Sequence, residues 1–161
     1  MGTKKILIVY YSRTGNTKRV ALDLASKLNA DIEEIVDKKS RKGFFGYLFG
    51  GRDAARKFRT EIAAPANDPA HYDITIVGTP VWAWGMTPAV RTYIERFKDR
   101  FGTVAYFVTS GGTNAQKTVT GMERLSGKTA IAYAGFVQKE LKDGALYEAK
   151  LTGFADELTA G

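Results

Sequence analysis

The sequence predicts an α/β domain in which a parallel β-sheet is covered by helices on both faces. Three observations predict it: strand-like apolar runs alternate with stretches of helical period, the first run is almost continuously apolar, and no repeat or low-complexity linker interrupts the order. A chain of 161 residues has the usual size of one domain and can bury a core without a metal or disulfide. We therefore expect residues 1–161 to form a single domain.

The first half of the chain predicts a β-α-β unit and a third strand. Residues 5–11 are apolar enough for a strand that is buried on both faces. A helix over residues 17–28 follows, because Val20, Leu24 and Leu28 recur at helical spacing, and Asn29 is its stop. Residues 31–36 form a short second strand and residues 74–78 a third.

The second half continues the alternation. Thr87 caps a helix over residues 88–97, and Pro88 occupies its first turn, where no backbone N–H is needed. A strand at residues 103–109, a helix at 115–125, a strand at 128–134 and a closing helix at 146–158 complete the chain. Ligands of such sheets bind beyond the carboxyl ends of the strands, so the segments after Tyr11, Gly78 and Thr109 are the candidate site.

The composition excludes several kinds of chemistry. The chain has no cysteine, which excludes disulfides, thiolate metal sites and cysteine nucleophiles, so redox chemistry would require a cofactor. The single histidine, His71, is interpreted as a solvated loop residue, and we expect no metal site. The first apolar run is too short for a signal peptide or a membrane span, which favours a cytoplasmic location and no transmembrane segment.

The segment after the first strand is typical of a phosphate-binding loop. It opens directly into a helix, where free backbone N–H groups and the helix dipole favour an anion. Glycine allows close approach, and the short polar side chains would donate hydrogen bonds. Its residues are Ser12, Arg13, Thr14, Gly15, Asn16 and Thr17. The alternative is that these side chains only cap the helix, but one capping residue would be enough.

The two following loops suit a flat, polar-edged ring. Both tryptophans lie after the third strand, where a planar ligand would cover them; the alternative is packing on a neighbouring helix. This loop contains Pro80, Val81, Trp82, Ala83 and Trp84. The loop after the fourth strand is small and polar, and its backbone would contact the edge of a ring system. It contains Ser110, Gly111, Gly112 and Thr113.

With these three loops, the chain resembles short-chain flavodoxins and flavodoxin-like FMN proteins over essentially its whole length. The motifs that carry the resemblance are Tyr-Tyr-Ser-Arg-Thr-Gly-Asn-Thr, Gly-Thr-Pro-Val-Trp and Thr-Ser-Gly-Gly-Thr. The resemblance implies a three-layer flavodoxin-like fold with a five-stranded parallel sheet of order 2-1-3-4-5, and FMN as the cofactor. It places the first loop around the phosphate, the second along the isoalloxazine and the third at the pyrimidine edge. Which tryptophan stacks is left open.

Three functions follow from this interpretation. The first is electron transfer through FMN between redox partner proteins, which requires no catalytic side chain. The second is an NAD(P)H-dependent oxidoreductase that acts on quinones or other small acceptors. The third, an interaction module without cofactor, is least favoured because the phosphate loop is intact.

A basic, aromatic segment separates the second and third predicted strands. Residues 37–60 contain eight basic and two acidic residues, whereas the rest of the chain has sixteen and fifteen. The spacing of its aromatic residues predicts a crossover helix that packs on the sheet. The alternative is that residues 38–59 bind an acidic partner, a NADPH phosphate or an anionic surface. Nucleic acid is disfavoured, because no recognition motif accompanies the charge.

Overall fold

The computed structural model describes residues 2–39, 59–112 and 115–160 and contains one five-stranded parallel sheet. The strand order is β2-β1-β3-β4-β5, which confirms the order that the flavodoxin resemblance implies. The strands are β1 Ile6–Tyr10, β2 Asp31–Glu34, β3 Ile74–Pro80, β4 Thr103–Ser110 and β5 Tyr133–Val137. The strand order reverses between β1 and β3, at the point where ligands bind in such folds.

The described helices cover both faces of the sheet. They are α1 Asn16–Leu28, α2 Pro88–Phe97, α3 Ala115–Ser126, α4 Gln138–Lys142 and α5 Gly144–Thr159. Helices α1 and α5 pack with alternate sheet residues such as Ile8 and Phe107 into one apolar core. Helices α2 and α3 pack with the opposite set, such as Leu7 and Tyr106, into a second core. Three layers result, as expected.

The predicted helix ends are confirmed where a specific residue marks them. The hydroxyl oxygen of Thr87 accepts the N–H of Val90, and Pro88 occupies the first turn of α2. Asn29 ends α1 in a left-handed conformation with a φ of 50°, and the next residue donates its N–H to the carbonyl of Ala25. None of the helices in the described ranges has the length and apolarity needed to span a bilayer.

The fifth strand is present as predicted, but its predicted bounds are wrong. The strand lies at Tyr133–Val137 and not at residues 128–134, and helix α4, which follows it, has no counterpart among the predicted elements. Ile131 and Tyr133 gave residues 128–134 the pattern of a buried strand, but both side chains are exposed. Gly135 is typical of a strand end but lies within β5, where a Cβ atom would be 2.5 Å from the Cβ of Ala115. Glycine therefore allows α3 to pack closely on the edge strand.

The ends of the basic segment meet beside β2. Asp37 and Ile62 form an isolated antiparallel bridge, with a 3.0 Å hydrogen bond from the N–H of Lys38 to the carbonyl of Glu61. Arg59 forms a bidentate ion pair with Glu95 of α2, which fixes the second end to the α2 layer. The predicted crossover helix and most of the anion-binding surface at residues 38–59 lie outside the described residues.

Candidate functional site

Three loops at the carboxyl ends of β1, β3 and β4 enclose a cleft of about 320 Å³. The cleft is lined by Arg13, Thr14, Asn16, Thr17, Pro80, Val81, Trp82, Thr109, Ser110, Gly111 and Gln138. The register of β3 and β4 brings the second and third loops together, because Pro80 lies opposite Thr109 and the N–H of Val81 donates to the carbonyl of Thr109 at 2.8 Å. All three predicted loops therefore contribute to one site.

The loop after β1 leaves backbone donors free at the start of α1. Within the described ranges, the N–H groups of Thr14, Asn16 and Thr17 have no hydrogen-bond acceptor. Gly15 has a φ of 103°, which turns the chain sharply before the helix in a conformation that favours glycine. Free amides at a helix start are the ordinary recognition elements for a phosphate.

Ser12 supports this loop from inside. Its hydroxyl oxygen accepts the N–H groups of Gly15 and Lys18, both at 3.2 Å. Ser12 therefore caps the start of the helix, as the alternative interpretation predicts for the polar side chains of this loop. Ser12 does not line the cleft. The remaining amides stay available to a ligand, so capping and anion binding coexist in the same turn.

Two threonine hydroxyls connect the phosphate-type loop with the end of β4. The Thr17 and Thr109 oxygens are 2.7 Å apart, and both residues are buried. One hydroxyl donates to the other in this pair, so one hydroxyl proton is left for a further acceptor in the cleft. The pair holds the start of α1 at a fixed distance from the third loop.

The loop after β3 contains a tight two-residue turn. Trp82 and Gly85 exchange backbone hydrogen bonds of 2.9 and 3.0 Å, and Ala83 and Trp84 between them have positive φ values of 47° and 61°. Turns of this kind require positive φ at both central positions, where glycine and asparagine are usual. The indole of Trp82 lines the cleft and contacts the ring of Tyr11 edge to face at 5.6 Å.

We expect the Ala83→Gly variant to be more stable than the parent chain by about 1 kcal/mol, because a left-handed alanine carries strain that glycine lacks. Urea unfolding of the flavin-free protein measures the difference. The control is Ala149→Gly in the exposed interior of α5, where the same substitution should destabilise by about 1 kcal/mol. Equal destabilisation by both substitutions would show that the turn is not strained.

The loop after β4 is short and bends on glycine. Gly112 has a φ of 145°, and its N–H donates to the Ser110 hydroxyl at 3.4 Å. Ser110 and Gly111 line the cleft, whereas Gly112 does not, and Thr113 lies outside the described residues. A Cβ atom added to Gly111 would have none of the described atoms within 4 Å, so this wall of the cleft is open.

The comparisons with known proteins identify the family. Residues 49–157 match the family model whose description is flavodoxin, and this range covers more than half of the chain. The chain belongs to the flavodoxin family.

Solved structures agree with this assignment. A flavoprotein in complex with FMN from Lactobacillus acidophilus NCFM is 27% identical, with a TM-score of 0.72 over 88% of this flavodoxin and 99% of that chain. The apo-form of the flavoprotein from the same organism, solved by NMR, is 26% identical, with a TM-score of 0.62 over 88% and 98%. A flavoprotein structure from Bacteroides eggerthii DSM 20697, 24% identical, shares the fold with a TM-score of 0.71 over 94% and 98%. FMN is the cofactor that the family and the FMN complex support.

The electrostatics of the flavodoxin cleft suit an anion. Of the described residues that line it, only Arg13 is charged. Burial raises the pKa of the Tyr10 phenol to about 12, and the charge of Glu34 adds to this shift. Tyr10 is therefore neutral at physiological pH and places no negative charge at the end of β1.

The predicted binding residues omit two residues of the cleft, Thr109, which opens the third loop motif, and Gln138. The apolar pattern assigns Thr109 to the fourth strand, although its position at the strand end was a usable signal. Gln138 begins α4, so the misplacement of β5 hid it. Conversely, Ala83 and Trp84 belong to the predicted flavin loop but lie outside the lining of this cleft. Their assignment to the isoalloxazine stays a prediction.

Proposed function

We propose that this flavodoxin binds FMN in the cleft and transfers electrons through it. The observation that carries the proposal is the set of three free backbone amides at the start of α1, next to the indole of Trp82. When bound, FMN supplies the redox chemistry, because no side chain among the described residues of the cleft is a redox centre.

The residues of the cleft would divide the binding between them. The amides of Thr14, Asn16 and Thr17, together with the charge of Arg13, would hold the phosphate. Trp82 would stack on the flavin ring, since it is the tryptophan that lines the cleft. Ser110, Gly111 and Gln138 would meet its polar edge through backbone groups and a side-chain amide.

The phosphate loop predicts that FMN binds much more tightly than riboflavin, which lacks the phosphate. We expect a difference in Kd of at least about 100-fold, or roughly 3 kcal/mol, for two or more charge-assisted hydrogen bonds. Calorimetric titration of flavin-stripped protein with each ligand measures it. Equal affinities would contradict a phosphate site at α1, and no uptake of FMN at all would contradict the proposed function.

A second function, NAD(P)H-dependent reduction of small acceptors through FMN, is favoured by a specific observation. A groove rich in arginine and lysine is lined by Trp84 and Gly85 of the same turn that contributes Trp82 to the cleft. A positive groove beside a redox site suits an anionic electron donor.

The two functions differ in their electron donor. An oxidoreductase should oxidise NADPH continuously when a quinone is present, with no other protein. A carrier should be reduced by NADPH only through a reductase protein and should then pass electrons to a partner. Absorbance at the flavin bands and at the nicotinamide band under anaerobic conditions distinguishes the two outcomes.

A further inference from the structure

A second concave site lies between helices α2 and α3. It has a volume of about 480 Å³ and includes Trp84, Met86, Arg91, Lys117, Gly121 and Arg124 in its lining. We call it the basic groove. A hollow of about 330 Å³ continues from it, shares Arg91 and Arg124, and adds Lys98. The volume is in the range of small-ligand sites.

The basic groove carries an excess of positive charge. Within the part of the chain that the structure describes, Arg91, Lys98, Lys117 and Arg124 form no salt bridge. No aspartate or glutamate is among the described residues that line the groove or its continuation. Three cations around the groove and one more around its continuation, with no acidic residue in the described lining of either, attract an anion of more than one charge.

The carboxylates of the two groove helices are engaged elsewhere. Glu95 of α2 forms its ion pair with Arg59. Glu123 of α3 accepts the N–H of Ala130 at 2.8 Å. In the ranges described, neither carboxylate forms an ion pair with an arginine of the groove, although the charge of Glu95 acts on Arg91 and Lys98 at longer range.

Arg91 is the less exposed of the two arginines that line the groove. Arg91 is half-buried, and burial lowers the pKa of its guanidinium. The charge of Glu95 raises this pKa, and the charge of Arg59 lowers it further. A guanidinium that has lost part of its water without gaining a salt bridge gains most from a bound anion.

Trp84 adds an aromatic surface to the basic groove. Its side chain is 66% exposed, which is exceptional for a tryptophan. The backbone that carries it is held in place, because Trp84 lies in the tight turn and the Thr118 hydroxyl donates to its carbonyl at 3.4 Å. An exposed indole beside arginines is the combination that binds a purine base and its phosphates.

We propose that the basic groove binds the adenosine phosphate end of NADPH, with the adenine on Trp84 and the phosphates on Arg91 and Arg124. This proposal deepens the second function above and rests on it in one respect: the nicotinamide end must reach a flavin in the cleft. One turn contributes Trp82 to the cleft and Trp84 to the groove, so the two sites adjoin along the chain. The 2′-phosphate distinguishes NADPH from NADH, and the surplus of cations favours the former.

The test uses 2′,5′-ADP, which carries the NADPH phosphates but cannot react. We expect calorimetry to show binding to the FMN-loaded protein and at least about tenfold weaker binding of 5′-AMP, which lacks the second phosphate. The double variant R91Q/R124Q should weaken 2′,5′-ADP binding at least about tenfold and raise KM for NADPH more than it lowers kcat. Affinity for FMN should not change, since neither arginine lines the cleft.

Two further variants make the result specific. Arg96→Gln removes one positive charge from α2 at an exposed position outside the groove, as Arg91→Gln does inside it, and it should bind 2′,5′-ADP like the parent protein. Gly121→Leu should block the groove sterically, because a Cβ atom at this position meets only the end of Met86 at 3.8 Å and leaves the helix intact.

The proposal is overturned if the parent protein does not bind 2′,5′-ADP, or if R91Q/R124Q binds it as tightly as R96Q. Tighter binding of ATP than of 2′,5′-ADP would overturn the assignment to NADPH in favour of a free nucleotide. Titrating flavin-free protein with 2′,5′-ADP and, separately, with FMN distinguishes failure of one proposal from failure of the other. No uptake of FMN contradicts the cleft assignment, whereas no binding of 2′,5′-ADP contradicts the groove assignment.

Discussion

Replacing Thr14 with glutamate should weaken FMN binding strongly. Thr14 is exposed, lines the cleft and has one of the three free amides, so a carboxylate there would share the anion site with the phosphate. Two unit charges about 4 Å apart repel by about 1 kcal/mol in water and about 4 kcal/mol near a protein surface. We expect the binding free energy of FMN to fall by roughly 3 kcal/mol, which raises its Kd about 100-fold. Titration of flavin-stripped protein measures it.

The control is Thr14→Gln, which has the size of glutamate without its charge. It should weaken FMN binding less than about tenfold, because the backbone amides are retained. Riboflavin should bind to the Glu and Gln variants with equal affinity, since it presents no phosphate to repel. If T14E and T14Q bind FMN equally well, the phosphate lies elsewhere and the assignment of the α1 loop is wrong.

The phosphate-binding loop that this prediction tests could be predicted from the sequence, because all the features that define it lie within six consecutive residues. A helix start with free amides, a glycine for the sharp turn and short polar neighbours are all contained in residues 12–17. The alternation of strands and helices is equally local, since each buried strand and amphipathic helix shows its own period. The strand order is not local, and it came from the resemblance to a family.

Contacts between distant segments were beyond sequence reasoning. The Thr17–Thr109 pair joins residues 92 positions apart, and no periodicity reports it. The bounds of the edge strand β5 were wrong because the burial of its residues depends on distant neighbours. A glycine such as Gly135 normally interrupts a strand, and the close packing of α3 is what requires a glycine inside β5. The basic groove was also invisible, because Arg91 and Arg124 meet only when α2 and α3 pack side by side.

Replacing Gly78 with alanine should lower the free energy of unfolding more than the substitutions at Ala83 and Ala149. Gly78 lies opposite Phe107 in the β3–β4 register, and a Cβ atom on Gly78 would be 2.1 Å from the Phe107 ring. Phe107 is fully buried, so its ring has no open space to move into. Overpacking of this kind costs roughly 3 kcal/mol of the free energy of unfolding. Urea unfolding of the flavin-free protein measures the loss without a contribution from FMN binding.

Two variants separate this steric effect from a general effect of the added methyl group. Gly153→Ala in α5, where nothing lies within 4 Å of the new Cβ atom, should stabilise by about 1 kcal/mol. Combining G78A with Phe107→Leu should recover at least about 1 kcal/mol relative to the sum of the single effects, because the smaller side chain makes room. Additive effects would show that the Phe107 ring does not contact position 78. The ends of β3 and β4 carry the second and third loops, so a clash at this pair should also weaken FMN binding by moving the cleft residues Trp82 and Ser110.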